Sequence, residues 1–260
     1  MNPKNPAPCE IIAIHTPGKV GSSTLHEALK ARNRWPCYHT HFLDPEKLEA
    51  VANKLKIHTK TLNGHVADSA EVLRKMSNPR CKLKVITVVR DPLARNVSSF
   101  FENLELYGFN PDQLPNVRDM VAIFLSKVPL FTMDKWLDRE IGGVFGLNRQ
   151  CVPFCRNAGI ALFQKNGIEF LFLKAEVSDW QKEAILQSWL GDIDIKLKRA
   201  NITANKSVAP IYEEFKSELA SQFSAVEAIY QSNWFRHFYT KEETGKFING
   251  WKSKGTSGLP

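Results

Sequence analysis

The chain has no long apolar run. No stretch of eighteen or more apolar residues occurs in its 260 positions, so no membrane-spanning helix is expected. The opening Met-Asn-Pro-Lys-Asn-Pro-Ala-Pro is too polar and proline-rich for a signal peptide. The expectation is a cytoplasmic chain, with a secretory-compartment enzyme separated from its anchor as the alternative. Paired cysteines are also lacking. The five, Cys9, Cys37, Cys81, Cys151 and Cys155, are odd in number and scattered. Only Cys151 and Cys155 lie close, with no second pair to complete a zinc site, so no metal site is expected. Scattered thiols favour a reducing compartment, with one Cys151–Cys155 bridge left open. No dense Lys/Arg run occurs, so a nucleic-acid partner is not indicated. Internal repeats and low-complexity blocks are absent too.

What is present suits a globular domain. Hydrophobic residues make up 43% of the chain and sixteen are Phe, enough for a core. The formal charge of +8 suits a polyanionic partner, such as an acidic glycan, an anionic lipid surface or a multiply charged nucleotide. It equally suits plain self-repulsion in solution. Ile11–Ile14 and Lys84–Val89 read as strands buried on both faces, which suits a parallel sheet. Tyr38–Leu43 and Ile168–Leu173 read as two more, the second as the last strand. Helical patterns follow Ser22, Asp44 (as N-cap), Val66, Pro92 (to Tyr107), Val117, Met133 (to Ile141) and Ser178, and one long helix spans Ile211–Tyr230. Strands alternating with helices give an α/β fold, read as one domain over residues 1–260, with residues 1–9 and 252–260 as flexible ends.

The stretch after the first strand carries the most information: His15-Thr16-Pro17-Gly18-Lys19-Val20-Gly21-Ser22-Ser23-Thr24. A loop entering a helix offers backbone N–H groups and the positive end of the helix dipole to an anion. Gly18 and Gly21 allow close approach, Lys19 adds charge, and Ser22, Ser23 and Thr24 add hydroxyls. The order is not that of a magnesium-nucleotide loop, because Val20 and Gly21 separate Lys19 from the first hydroxyl. An ordinary strand-to-helix turn capped by Ser22 is the plain alternative.

A second candidate anion site follows the Lys84–Val89 strand: Arg90-Asp91-Pro92-Leu93-Ala94-Arg95-Asn96-Val97-Ser98. Arg90 falls where open α/β sheets bind ligands, and Ser98 lies about two helical turns on. A guanidinium fork and a hydroxyl suit phosphate oxygens. An ion pair with Asp91 is the alternative for Arg90, and surface capping is the alternative for Arg95.

Together these residues resemble the sulfotransferases that use 3′-phosphoadenosine 5′-phosphosulfate (PAPS). The family's 5′-phosphosulfate loop, Pro-Lys-Thr-Gly-Thr-Thr, is similar to Lys19-Val20-Gly21-Ser22-Ser23, although Gly18 separates Pro17 from Lys19 here. Its 3′-phosphate motif, Arg-Asp-Pro-x-x-Arg-x-x-Ser, is matched in full by Arg90 to Ser98. The order also resembles the uronyl 2-O glycan sulfotransferases and bacterial proteins of capsular polysaccharide synthesis. The resemblance implies a P-loop-like parallel sheet flanked by helices, PAPS as donor without a required metal, and a carbohydrate or other hydroxyl acceptor. It assigns nucleotide binding to Gly18, Lys19, Val20, Gly21, Ser22, Ser23, Thr24, Arg90, Ser98 and, in a C-terminal loop, Lys206 or Asn205. That loop reads equally as the cap of the following helix.

Sulfuryl transfer needs a base, and imidazole suits it because its ordinary pKa lies near 6.5. Four histidines qualify: His15, His39, His41 and His65. The resemblance favours His65, which stands in a Gly-His-Val segment like that of the uronyl 2-O enzymes, beside Lys19 as the other catalytic residue. His41 is the main alternate. The aromatics from Tyr230 to Tyr239 read as core. A P-loop kinase and a non-catalytic nucleotide- or glycan-binding module remain the alternative functions.

Overall fold

The computed structural model describes residues 9–59, 64–110, 113–198 and 209–256. They gather into two compact units. One holds the chain up to Val89 together with Asp138–Lys198; the other holds Arg90–Leu137 and the chain from Ala209 onward.

The first unit is α/β. Its strands are β1 (Cys9–His15), β2 (Cys37–Thr40), β3 (Cys81–Val89), β4 (Ile160–Lys165) and β5 (Ile168–Lys174). They form one sheet in the order β2-β1-β3-β5-β4, parallel except for the β4–β5 pair. Ile11, Ile12, Ala13 and Ile14 of β1 are fully buried, as are Val85 and Ile86 of β3 and Leu171–Leu173 of β5. Such runs need cover on both faces. Helices α1 (Ser22–Arg32) and α3 (Gly64–Met76) pack on the sheet, α2 (Pro45–Thr59) packs against α3, and Trp189 of α7 (Asp179–Leu190) donates to Glu169 of β5 at 2.8 Å. On α1, Leu25, Ala28 and Leu29 are buried one helical turn apart. This mostly parallel, helix-flanked sheet is consistent with a P-loop-like α/β fold.

Strand β4 has no counterpart in the sequence reading, which took a single strand in this region. It is joined to β5 by Asn166-Gly167, both at positive φ (51° and 78°). Two such residues make the two-residue hairpin turn whose twist matches that of the strands. Leu162 of β4 is half exposed, so the strand lacks the continuous burial that marks its neighbours.

The second unit is helical: α4 (Pro92–Glu102), α5 (Val117–Lys127), α6 (Thr132–Trp136), α8 (Ala209–Ser221), α9 (Asn233–Phe238) and α10 (Lys241–Thr256). Asp91 caps α4 by accepting from the Leu93 N–H at 3.0 Å, with Pro92 in the first turn. Its carboxylate also accepts from Tyr230 Oη at 2.9 Å and Trp251 Nε1 at 3.0 Å, tying three segments together. Phe100, Phe124 and Phe215 pack with centroids 5.4–5.6 Å apart. Trp234, Phe235, Phe238 and Tyr239 are buried, as core aromatics should be.

Four helices differ from expectation. The long helix from Ile211 stops at Ser221 and continues as 3₁₀ turns, where Phe223, Val226 and Ile229 are buried at the three-residue period of that geometry. The helix expected to run to Tyr107 ends at Glu102, with a 3₁₀ turn after it. The one expected through Ile141 widens at Leu137 into a π-helical segment, Leu137–Gly143. At the other end of the chain, α10 runs through Thr256, where the sequence suggested a tail from Lys252. Gly245, Gly250 and Gly255 weaken its helical signal. Gly255 nonetheless fits, since a Cβ there would lie only 3.4 Å from Ala220 of α8.

Candidate active site and anion pockets

The loop between β1 and α1 turns by left-handed backbone. Gly18, Lys19 and Gly21 have φ of 74°, 59° and 80°. Glycine takes this region freely; lysine does so at a cost of roughly 1–2 kcal/mol. Val20, buried between them, pins the loop to the core. Gly21 precedes α1 with no side-chain cap, and the first turn holds no acidic residue. The first-turn N–H groups therefore meet no carboxylate of their own helix, which is the setting that favours an external anion.

Ser22 does not serve as the cap. Its side chain is buried and joins an internal network: Thr16 Oγ1 donates to Ser22 Oγ at 3.1 Å, and Ser22 Oγ is 2.8 Å from His39 Nε2. Ser23 is half-buried on α1, and Thr24 lines a cavity of about 480 Å³ with Arg32, Asp194 and Lys196. Of the hydroxyls expected to face an anion, one is thus spent on the histidine network and one lies along another hollow.

Three of the four candidate histidines come together beside this loop. His39 lies in β2 one residue before its end, His41 directly follows β2, and His65 is in the first turn of α3. Their ring centroids are 4.3–5.0 Å apart. His41 Nδ1 donates to the Thr16 carbonyl at 2.8 Å, and its ring packs 3.6–3.9 Å from where a Cβ on Gly18 would stand. His65 Nδ1 donates to the His39 carbonyl at 2.9 Å. Each bond fixes the tautomer and leaves the lone pair on Nε2. His39 is deeper: burial, then the neighbouring imidazoles, push its pKa down to about 3. The Asp68 carboxylate accepts from the His39 backbone N–H at 2.8 Å.

His15 stands apart from this cluster. It is fully buried, with Nδ1 2.9 Å from Thr40 Oγ1 and Nε2 3.4 Å from Glu140. Burial lowers its pKa against the pull of that carboxylate. Glu140, on the π-helical segment, also accepts from the Leu43 and Asp44 N–H groups at 2.6 and 3.0 Å. Sequence reasoning missed Glu140, because nothing in a helical pattern marks one glutamate as the inward one.

In the second unit, Arg90 lines a cavity of about 300 Å³ with Lys216, Lys246, Lys254, Tyr212 and Trp251. Four cations and three aromatic rings, Phe247 being the third, suit an anion with a flat ring. Lys216 is held 2.5 Å from Glu213, and Lys246 2.6 Å from Glu242. Burial raises the Tyr212 pKa against the nearby Arg90 charge. The three lysines were not singled out from sequence. Lys246, Gly250 and Lys254 form an i, i+4, i+8 stripe on α10, which was the available signal.

Ser98 is half-buried in α4 and is not among the residues lining that cavity. Arg95 is no surface cap: it is buried beside Asn96, to which its Nη1 donates at 3.2 Å, and desolvation lowers its pKa to about 10. The five cysteines are free thiols, Cys151 and Cys155 included. Lys206 and Asn205 lie outside the described residues.

Among known proteins, residues 116–240 match the model of the NKWYS family, described as "Putative capsular polysaccharide synthesis protein". The matched stretch begins after both the Lys19 loop and the Arg90–Ser98 motif, so it bears on neither. No curated protein and no solved structure matches the chain. No helix of the described residues is long and apolar enough to cross a membrane.

Proposed function

We propose that this chain transfers a sulfuryl group from PAPS to a hydroxyl of a carbohydrate, in the synthesis of a polysaccharide. One observation carries the reading. Within a single unit, an uncapped, glycine-turned loop bearing Lys19 meets imidazoles whose Nε2 lone pairs are fixed by backbone bonds. An anion cradle beside a base is what attack of a hydroxyl on an anionic donor requires. The capsular polysaccharide description of the matched family supports the acceptor class, and the resemblance of the two motifs supports the donor.

In this reading His65 Nε2 takes the acceptor proton as the acceptor oxygen bonds to sulfur. The bond from sulfur to the bridging phosphate oxygen breaks in line. The 5′-phosphate then leaves with the electron pair, steadied by Lys19 and the first N–H groups of α1. Arg90 is assigned to the 3′-phosphate by the motif it belongs to, and the lysines that line its cavity add positive charge there. His41, held in the same tautomer as His65, is the second candidate for the base.

The test is calorimetry and turnover together. Adenosine 3′,5′-bisphosphate (PAP) should bind with EDTA present. Lys19→Ala should lower turnover by about 10²–10³-fold. Arg90→Ala should act mainly on nucleotide affinity. His65→Ala should lower turnover by about 10²–10⁴-fold, with PAP binding kept. Full turnover in Lys19→Ala, or no affinity for PAP in the intact chain, would overturn the reading; loss in His41→Ala but not His65→Ala would move the base to His41.

A further inference from the structure

We infer that His39, His41 and His65 form a binding site for a divalent transition-metal ion of the zinc class. The inference goes beyond sulfuryl transfer and does not rest on it. Among the described residues, these three offer ligand nitrogens that all lie within 4.8 Å of one another. In a tetrahedral zinc site with bonds near 2.0–2.1 Å, neighbouring nitrogens are about 3.3 Å apart. Ring swings of roughly an ångström close that difference. The centroid spacings of 4.3–5.0 Å already allow the rings to converge on one point.

The supporting bonds are of the kind metal-binding imidazoles use. A ligating histidine commonly donates its other ring N–H to a carbonyl or carboxylate, which fixes the tautomer and raises basicity. His41 does so to the Thr16 carbonyl and His65 to the His39 carbonyl. His39 is bonded through Nε2 to the Ser22 hydroxyl, which can give or take the proton, so His39 can adopt the tautomer an ion requires. The three side chains come from β2, the residue just after it and the start of α3, so the sheet edge and one helix hold the geometry. Three neutral imidazoles with no thiolate select zinc, cobalt, nickel or copper over magnesium or calcium. Three protein ligands leave a fourth position for water or an added ligand.

The ion would use the same Nε2 lone pair of His65 that the proposed base uses. Zinc should therefore inhibit sulfuryl transfer, and chelation should restore it. The deciding measurement needs no turnover. The untagged, chelator-treated chain is titrated with Co²⁺ and followed by visible absorption and calorimetry. The expected result is one equivalent bound, with the d–d bands of a four- or five-coordinate ion and no thiolate charge-transfer band. That last point separates the site from the five cysteines. His41→Ala and His65→Ala should each weaken binding by more than the roughly tenfold to hundredfold that losing a supporting group costs. His41→Gln and His65→Gln serve the same purpose should the alanine variants unfold, with circular dichroism checking the fold. No saturable Co²⁺ binding, a thiolate band, or affinity unchanged in folded variants of both histidines would overturn the inference. An intact Co²⁺ site in a chain with no transferase activity would sink the functional reading alone.

Discussion

Lys19 holds the least comfortable backbone of the loop, at φ 59°. A non-glycine residue keeps such a conformation only when its surroundings impose it, and these positions gather at functional sites. Lys19→Gly should relieve the strain and leave stability equal or higher by up to about 1 kcal/mol, while transfer is lost. Denaturant melts beside turnover assays check this. A clear loss of stability would mean that the lysine side chain holds the fold. His15 tests a different residue-scale balance. Its native pKa lies below the unfolded value near 6.5, chiefly through burial. As pH falls through 6.5 the unfolded chain takes up a proton that the native chain refuses, so stability is lost on acidification. It is fully present above that range. His15→Gln should flatten the slope of stability against pH near pH 6 by up to about 1.4 kcal/mol per unit. His26 and His39, also lowered by burial, keep their own shares. An unchanged slope would mean that native His15 is charged against Glu140.

Elements with continuous burial were legible: β1, β3 and β5 are runs of apolar residues, and a short glycine loop after β1 announces a strand-loop-helix unit. Strand β4 was not, because a half-exposed edge strand alternates weakly and its neighbour claims the apolar signal. Its clearest mark was the Asn166-Gly167 turn. Gly167→Ala should cost about 1–2 kcal/mol, since the turn holds its φ at 78°. Asn166→Gly should be nearly neutral, and thermal melts of the pair distinguish the turn from a general weakness of the edge. The helical unit was harder to read. A change from α to 3₁₀ after Ser221 or to π at Leu137 depends on which neighbours pack there, not on local propensity. The candidate site shows the same division. The Lys19 loop and His65 follow from local motifs. The gathering of His39, His41 and His65, the inward turn of Ser22 toward His39, and the lysine stripe around Arg90 arise from tertiary packing.

At the scale of the whole chain, the two units are interleaved in sequence: the chain passes from one to the other after Val89, after Leu137 and after Lys198. Arg90 is the first residue past the first of these crossings, and the Lys19 loop belongs to the unit before it. The candidate anion-binding cations are therefore divided between two bodies that carry a net formal charge of +8 together. PAP is multiply anionic, so salt should weaken its attraction to the chain's cations. Screening reaches about 10 Å at 0.1 M ionic strength, so charges beyond the first contacts count at low salt and fade at high. The dissociation constant for PAP should rise several-fold from low to physiological salt. Lys19→Gln and Arg90→Gln should each show a weaker dependence than the parent chain, because each removes one screened attraction. Calorimetric titrations across a salt series measure this directly. An affinity indifferent to salt, or slopes untouched by both substitutions, would place the nucleotide on groups other than these two cations.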